Sequence, residues 1–508
     1  MQKRLTSSLL SAAVAASIAA IAAAPAANAR PTAQNATRNA NEAATARHYA
    51  ALIAGAEPKT AELTLFFTQM PKGGDLHHHY SGALYAETYV NWLDKQGWCV
   101  DKTSYKIVTD KAAVAAEKAK PLEGRSCLSS ADVYADDYTW RELLQRWSSK
   151  DFNNHSETQA PPDRQFFQTF LYFGPVSNTN FHEGLLEIKN RAIQENVGYI
   201  ETMFKMSPFV ANPQFDADAW NNARDDAALD AQMRAWMQQL DGDAKFNGAI
   251  ADFTARIDEA AAGIDDEQFT MRYQTYVLRL LNPSQVFSSM LAGFKAATKD
   301  SKIVGVNIVG QESQKVSMRD YTLHMKMFRF LKSIYPNVKI DLHAGELALG
   351  DVPPEDLQFH IDQALNIAGA NRIGHGVDLA HETNVVGIMK EMHDKDIAIE
   401  INLTSNAFIN GVQGQNHPVT LVRRYGVPYV ISTDDAGVTR HNLSNEYVLF
   451  ASRYKPSYAE LKKASYNSIR YSFLPEADKS RLMRQLDGRF AKFEAEIAGL
   501  DHMRPANN

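Results

Sequence analysis

This sequence of 508 residues has few cysteines, no excess of basic residues and few long apolar runs. The only cysteines are Cys99 and Cys127, which lie in one segment of the chain. Acidic residues outnumber basic residues by 59 to 53, and the formal net charge is −6 at pH 7. This balance argues against a nucleic-acid polyanion as the partner. After residue 29, no stretch is long and apolar enough to predict a membrane-spanning helix.

The one apolar run lies at the N-terminus. Residues 1–29 begin with two basic residues, continue through a run rich in Ala, Leu and Ile, and end on Ala27-Asn28-Ala29. This is the three-part pattern of a cleaved secretory signal peptide. A membrane anchor is the alternative, but the alanine content and the small-residue cleavage site favour the signal. We therefore expect an exported protein, periplasmic or secreted, that has no membrane contact after cleavage.

Export bears on the two cysteines. In an oxidising compartment such a pair is typical of a disulfide, so we expect Cys99 to be bonded to Cys127. Two reduced, buried thiols are the alternative.

Eight strand-length apolar runs alternate with helical patterns between residues 70 and 500. The runs are Asp75–Tyr80, Gly198–Phe204, Thr270–Leu278, Ile303–Val309, Val338–His343, Arg372–Gly374, Ile397–Leu403 and Tyr429–Thr433. Strands that alternate with helices predict an α/β fold with a parallel sheet, and eight of them predict a (β/α)8 TIM barrel. An open, doubly wound sheet gives the same alternation and stays as the alternative.

The rest of the chain divides into a leader, two long intervals and a tail. Residues 30–69 predict a leader that is mobile at its start and helical near residues 43–54. Residues 92–163, which contain both cysteines, predict a subdomain inserted after the first strand. Residues 212–267 are rich in Ala, Asp and Gln and predict a helical excursion after the second strand. Residues 501–508 predict a C-terminal tail.

Three consecutive histidines, His77, His78 and His79, lie in the first apolar run. Side chains alternate between the two faces of a strand, so His77 and His79 share one face and His78 takes the other. Two histidines on one strand face can bind one metal ion. A histidine-rich surface strand would show the same pattern, so this signal alone is modest.

Three further motifs place titratable residues at the ends of later runs. They are Asp341-Leu-His343-Ala-Gly-Glu346, Arg372-Ile-Gly-His375-Gly and Ser432-Thr-Asp434-Asp435. Each motif also has an ordinary structural explanation. The first fits a helix start that favours a carboxylate, the second fits a tight glycine turn, and the third fits a solvated acidic turn. Strand ends meet on one rim of a barrel, so His343 and Asp434 can join the two outer histidines of the first motif. Three histidines and one aspartate suit a catalytic zinc ion that keeps a position for water.

In order and spacing, these motifs resemble the adenosine deaminase family of metal-dependent amidohydrolases. The resemblance runs from Met70 to Glu446 and includes Leu403-Thr-Ser-Asn406. The inserted segment, the leader helix and the export signal are similar to the secreted, growth-factor-related branch of that family. By this analogy we expect a homodimer formed through the leader helix and the insertion.

The resemblance implies one Zn²⁺ per chain and a catalytic set. The four implied zinc ligands are His77, His79, His343 and Asp434. Glu346 would protonate purine N1, which makes C6 a better electrophile. His375 would orient and deprotonate the attacking water and then stabilise its oxygen. Glu346, His375 and Asp434 form the implied catalytic set.

The resemblance also implies contacts to the substrate. Asp435 would hold purine N7, and the backbone of Gly310 would contact N3. Phenylalanines within residues 166–170 would form a wall of the purine pocket or, alternatively, a buried helix face. Ser81 replaces an acidic residue that in many family members meets the ribose 5′-hydroxyl, which leaves the sugar contact open. Ala436 stands where proline is usual.

We therefore expect zinc-dependent hydrolysis of adenosine, and of 2′-deoxyadenosine, to give ammonia and inosine or its deoxy form. One alternative is another 6-aminopurine, such as adenine or AMP, although no basic phosphate cradle is evident beside the motifs. Another is an extracellular nucleoside-binding factor without turnover. Deaminases with H-x-E and P-C-x-x-C zinc motifs are excluded because Cys99 and Cys127 are not so spaced.

Overall fold

The computed structural model describes residues 33–152 and 160–501, and the strands within these residues form two sheets. The predicted signal at residues 1–29 and residues 502–508 of the predicted tail lie outside the described residues. The strands are β1 Gly73–His79, β2 Cys99–Asp101, β3 Ile107–Val108, β4 Cys127–Leu128, β5 Val197–Met206, β6 Thr270–Leu278, β7 Ile303–Val309, β8 Lys339–Ala344, β9 Arg372–His375, β10 Ala398–Ile401 and β11 Tyr429–Ile431.

Eight strands form a parallel sheet in the order β1-β5-β6-β7-β8-β9-β10-β11. Helices connect these strands, which confirms the predicted (β/α)8 barrel. Strands β6 and β7 have the predicted bounds. Most residues of the eight strands are buried, because helices cover the outside of the sheet.

The first and last strands meet at a short seam that closes the barrel. The backbone amide of Asp434 donates to the carbonyl oxygen of His77 at 2.8 Å, and that of His79 donates to the carbonyl oxygen of Asp434 at 3.2 Å. Next to this bridge, Thr433 Oγ1 donates to the buried carboxylate of Asp75 at 2.6 Å. The seam therefore places Asp434 beside the two histidines of β1 that share a face.

Capping side chains mark the first residue of several helices. The helices are α1 Ala33–Leu52, α2 Thr60–Gln69, α3 Tyr80–Ala83, α4 Ala86–Gln96, α5 Lys111–Lys118, α6 Ser130–Tyr134, α7 Asp137–Trp147, α8 Pro162–Ser177, α9 Phe181–Gln194, α10 Pro213–Asn222, α11 Asp226–Gly242, α12 Ala244–Ala261, α13 Pro283–Lys299, α14 Lys315–Ile334, α15 His360–Gln363, α16 Val385–Asp394, α17 Leu403–Ile409, α18 Val419–Tyr425, α19 Ala436–Thr439, α20 Leu443–Tyr454, α21 Tyr458–Arg470 and α22 Glu476–Asp501. The side chains of Asp225 and Asp243, for example, accept the first free amides of α11 and α12. Helices α10, α11 and α12 occupy most of residues 212–267.

The leader is helical earlier than the sequence predicts. Helix α1 begins at Ala33, within the segment for which the sequence predicts a mobile start. The early segment is rich in alanine, which has the highest helix propensity. Contacts with α22 hold the helix in place: Thr45 Oγ1 donates to the backbone oxygen of Glu494 at 3.3 Å, and Arg38 lies 3.8 Å from Asp487. Within the described residues, no helix combines the length and hydropathy needed to cross a bilayer.

The segment between β1 and β5 contains a small antiparallel sheet in the order β3-β2-β4. A disulfide joins Cys99 of β2 to Cys127 of β4, and Val114 of α5 packs on both cysteines. On the other side, the indole Nε1 of Trp147 donates to the carbonyl oxygen of Tyr105 at 2.9 Å. This bond ties the small sheet to the end of α7.

Removal of the disulfide should lower the thermal stability of the protein. Its sequence separation is 28 residues, and a loop of that size is worth about 3 to 4 kcal/mol in the chain-entropy model. We expect a lower Tm for the double variant Cys99→Ser/Cys127→Ser, measured by calorimetry, and no further decrease when reductant is added to it. An unchanged Tm, together with two free thiols in a peptide map of unreduced wild-type protein, would contradict the disulfide.

Candidate active site and metal centre

Four candidate metal ligands converge at the carboxyl-terminal rim of the barrel. His77 and His79 come from β1, His343 from β8, and Asp434 from the loop after β11. One ligand atom from each residue lies within 4.8 Å of the ligand atoms of the others. The structure thus brings together the four residues that the sequence predicts as ligands.

Hydrogen bonds behind the histidines fix which ring nitrogen faces the centre. His77 Nδ1 lies 2.6 Å from Glu400 Oε2, and His343 Nδ1 lies 2.9 Å from Asn307 Oδ1. Both partners are acceptors, so each Nδ1 carries the proton and each Nε2 presents a lone pair. His79 Nε2 lies only 3.1 Å from His343 Nε2. The three imidazoles and the carboxylate of Asp434 thus lie close enough to share one cation, and this set of three nitrogens and one oxygen fits zinc.

The protonation states of the ligands suit metal binding. Burial lowers the pKa of His77 to about 4 and holds the pKa of His343 well below its ordinary value. Burial alone would raise the pKa of Asp434, but the hydrogen bond to His79 and the neighbouring imidazoles outweigh it and hold this pKa below its usual range. These shifts favour neutral imidazoles at His77 and His343 and an ionised carboxylate at Asp434, the forms that bind a metal.

Two residues of the site have a left-handed backbone. The φ angle is 66° at His375 and 62° at Asp434, although neither residue is glycine. Such a conformation costs on the order of 1 kcal/mol or more and is concentrated at functional sites. Strand β9 ends at His375, and β11 ends three residues before Asp434. At both places the chain leaves the sheet where a side chain is directed toward the centre of the rim.

Glu346 is a buried acid beside the metal centre, with an exposed fraction of 8%. Burial raises its pKa well above the ordinary value, and the charges of Asp434 and Glu312 raise it further. The surroundings of Glu346 therefore favour the neutral, protonated form of its carboxyl group. The preceding Gly345 has a φ of 72°, and a Cβ atom there would lie 2.1 Å from Asp378 Oδ1. Only glycine allows this loop to deliver Glu346 to the rim.

His375 is oriented by two asparagines for which the sequence suggested no role. Its Nδ1 lies 3.0 Å from Asn406 Nδ2 and 3.3 Å from Asn402 Nδ2. Amide nitrogens donate, so Nδ1 accepts and the neutral ring carries its proton on Nε2. Burial lowers the pKa of His375 to about 3, which keeps the ring neutral. Its Nε2–H therefore faces the centre, 4.0 Å from Asp434 Oδ2.

A cavity of about 740 Å³ opens from the metal centre. Its polar end contains the candidate residues His79, Ser81, Gly310, His343, Glu346, His375, Asp434 and Asp435. Phe166, Phe167 and Phe170 of α8 form an apolar wall, which agrees with the predicted pocket wall, and Phe166 is also buried in the core. The cavity thus joins an apolar surface to a small number of convergent polar groups, as binding sites for small molecules do.

Asp435 lies in the same cavity without a hydrogen bond to Oδ1 from any described residue. Burial, and then the charge of Asp434, raise the pKa of Asp435 well above its usual range. Gly82 makes room for this side chain, because a Cβ atom there would lie 1.5 Å from Asp435 Oδ1. The carboxyl group is therefore available to hydrogen-bond a molecule in the cavity.

A buried charge network below the metal centre was not predicted. Arg372 Nη2 donates to Glu201 at 2.6 Å and to Asp341 at 3.0 Å, and its Nε donates to Glu400 at 2.5 Å. Because Glu400 also bonds His77, the network connects the barrel interior to the metal centre. The available sequence signal was the presence of charged residues inside otherwise apolar strand runs.

The ligand assignment is tested by His343→Ala. We expect this variant to lose bound metal and activity, because one of only four protein ligands is missing. Elemental analysis of the purified protein measures the loss. His78→Ala is the matched control: it removes an imidazole from the same strand, but His78 faces Thr202 Oγ1 at 2.9 Å instead of the centre. Full metal occupancy in His343→Ala would contradict the assignment.

Comparison with known proteins gives the family. The family model described as adenosine deaminase matches residues 191–489. The adenosine deaminase of Pseudoalteromonas translucida is 28% identical, over 51% of this chain and 84% of its own length. The adenosine deaminase of Pectobacterium atrosepticum is 34% identical, over 29% of this chain and 41% of its own length. The second match therefore spans less than half of that relative.

Solved structures share the fold at lower identity. An N6-methyl-AMP deaminase from Arabidopsis thaliana has a TM-score of 0.51 at 17% identity, over 84% of this chain and 98% of that chain. An adenine deaminase from Arthrobacter aurescens has a TM-score of 0.50 at 15% identity, over 82% of this chain and 98% of that chain. At such identities the likeness shows the fold alone. Since the family model matches more than half of the sequence, this chain belongs to the adenosine deaminase family.

Proposed function

We propose that the protein is a zinc-dependent deaminase that hydrolyses adenosine to inosine and ammonia and accepts 2′-deoxyadenosine in the same way. Family membership supports hydrolytic deamination of a 6-aminopurine. The observation that carries the proposal is that the buried Glu346 lies on the same cavity as His79, His343 and Asp434, three of the four residues of the candidate metal centre. An acid and a metal-activated water are the two requirements for displacing ammonia from a ring carbon.

The metal centre is proposed to hold one zinc ion through His77, His79, His343 and Asp434. The buried, unpartnered Nε2 of His77 and the close approach of two imidazole nitrogens support this choice. When bound, zinc activates a water molecule for attack near neutral pH.

The remaining residues supply proton transfer and orientation. Glu346 holds a proton for purine N1, so that C6 becomes a better electrophile. His375 carries its proton on Nε2 and would donate to the oxygen that adds to C6, so that it stabilises this oxygen. Of the two protons of the attacking water, one would replace the proton that Glu346 gives to N1, and the other would pass to the amino group, which leaves as ammonia. Asp434 stays ionised among the imidazoles and orients the attacking water. Asp435 donates to N7, and the backbone at Gly310 contacts the purine edge.

We also propose that the protein acts after export. The N-terminal pattern of residues 1–29 supports this location, and so does the disulfide between Cys99 and Cys127. Disulfides form and persist in oxidising compartments.

The role of the acid is tested by Glu346→Gln. Glutamine preserves the shape and still hydrogen-bonds N1, but it cannot deliver a proton. We expect kcat for adenosine to fall by about 10²- to 10⁴-fold, with KM little changed and zinc retained. Steady-state kinetics and elemental analysis measure these quantities.

A matched control for this variant is Glu355→Gln, which changes an exposed carboxylate near the same loop. It should keep the wild-type kcat. A zinc-replete Glu346→Gln protein with near-normal kcat would remove Glu346 from the mechanism.

A nucleotide such as AMP is the second candidate substrate, and one observation favours it. Lys205, at the end of β5, lies on the same cavity, and its Nζ donates to Asn178 Oδ1 at 2.5 Å and lies 4.5 Å from the ring centre of Phe181. No carboxylate oxygen of the described residues lies within 4.0 Å of this amine, so no ion pair neutralises it. Burial, and then the charge of Arg256, lower the pKa of Lys205 to about 8. An anionic group on the substrate would supply the missing partner.

Kinetic comparison of adenosine and AMP separates the two substrates. If Lys205 binds a phosphate, Lys205→Met should reduce kcat/KM for AMP by about 10- to 10²-fold, as expected for a hydrogen bond to a charged group. The value for adenosine should not change. Lys299→Met, at an exposed position of α13, is the control. Equal effects on both substrates would exclude a phosphate contact at Lys205.

A further inference from the structure

A buried carboxylate that the proposed chemistry does not use lies behind the loop that carries Glu346. The side chain of Glu312 is 1% exposed. Its Oε1 accepts the backbone amide of Gly345 at 3.0 Å, and its Oε2 accepts the backbone amide of Glu346 at 3.0 Å. One carboxylate therefore bridges two consecutive peptide groups, including that of the proposed acid.

Glu312 is itself held by two basic side chains. His360 Nδ1 hydrogen-bonds its Oε1, and Arg279 Nη1 lies 3.5 Å from its Oε2. Burial alone would raise the pKa of Glu312, but the charges of Arg279 and His360 outweigh it and lower this pKa to about 2. Glu312 is therefore ionised at any working pH, and hydrogen bonds to an ionised acceptor are the stronger kind.

The same support reaches a metal ligand. Arg279 Nη2 donates to the backbone oxygen of His343 at 2.9 Å and to that of Ile308 at 3.3 Å. Arg279 and Glu312 thus fix peptide groups on both sides of the end of β8. The loop needs these contacts because it lies outside the sheet: β8 ends at Ala344, and Glu346 follows Gly345, whose backbone is left-handed. A loop of this kind holds one conformation only when its surroundings determine it.

We propose that Glu312 is a positioning residue for the deamination reaction and acts through Glu346. The inference rests on the proposed function, in which Glu346 protonates the purine ring. Glu312 does not contact the substrate. Its contribution is to keep the carboxyl group of Glu346 at the distance and angle that proton transfer requires. A misplacement of about 1 Å at such a group can reduce turnover by about 10²-fold.

The first test is Glu312→Gln, which preserves shape but turns one acceptor into an amide that faces a backbone N–H. We expect kcat for adenosine to fall by about 10- to 10²-fold, while KM stays within about threefold and the metal is retained, since binding and proton transfer are separate steps. If Glu312 had a purely structural role, the variant would have a lower Tm, while kcat and KM of the folded protein would both stay unchanged.

A double-mutant cycle with Glu346→Gln decides through which residue Glu312 acts. If Glu312 acts through Glu346, adding Glu312→Gln to Glu346→Gln should cause no further loss of the residual turnover. The same fold-loss in both backgrounds would overturn the proposal, and so would an effect confined to KM. A wild-type enzyme that does not deaminate adenosine would instead refute the proposed function before the cycle begins.

The matched control is Glu494→Gln, far from the cavity. Glu494 is also fully buried, and it accepts hydrogen bonds from Tyr458 Oη at 3.0 Å and Lys462 Nζ at 2.7 Å. This variant should lose thermal stability without losing kcat. If Glu312→Gln does not fold, Glu312→Asp keeps the charge but is one methylene too short to reach both amides. It should show the same selective loss of kcat, and a wild-type kcat in folded Glu312→Asp would overturn the proposal.

Discussion

Buried negative charge, and the need for a cation beside it, is the constraint on which the interior of this barrel depends. Arg372 pairs with three carboxyl groups in the centre of the barrel, and Arg279 pairs with Glu312 behind the rim. At the rim itself, no lysine or arginine of the described residues pairs with Asp434 or Glu346 within 4.0 Å. Zinc would neutralise the first of these carboxylates, and a proton would neutralise the second. At the rim, the components of the proposed reaction would thus supply the positive charge that these two carboxyl groups lack.

The positions of the strands could be predicted because each one is an apolar run between polar connections. The errors occur at strand ends near the site. The run Ile397–Leu403 was predicted as one strand, but β10 ends at Ile401 and Leu403 begins a helix. The run Tyr429–Thr433 likewise ends early, at Ile431. There the backbone leaves the sheet to direct side chains toward the cavity, and hydropathy carries no signal for such a turn.

The residues that face the metal centre could be inferred from sequence motifs. The residues that hydrogen-bond to them from behind could not. His77 and His343 stand in recognisable clusters, but the acceptors that orient them, Glu400 and Asn307, come from other strands. Only the three-dimensional register shows which distant acceptor meets which imidazole. The same limit applies to Glu312, whose partners in the loop after β8 come from a separate part of the chain.

The seam between β1 and the end of β11 also sets the order in which the metal centre can form. In the sequence, His77 and His79 come with the first barrel strand, His343 with the fifth, and Asp434 only after the last. Because Asp434 reaches the histidines through the closing bridge, an incomplete barrel has neither the carboxylate nor the geometry of the site. A metal ion would therefore find its complete ligand set only after the first and last strands have paired, and contacts of such long sequence separation are slow to establish.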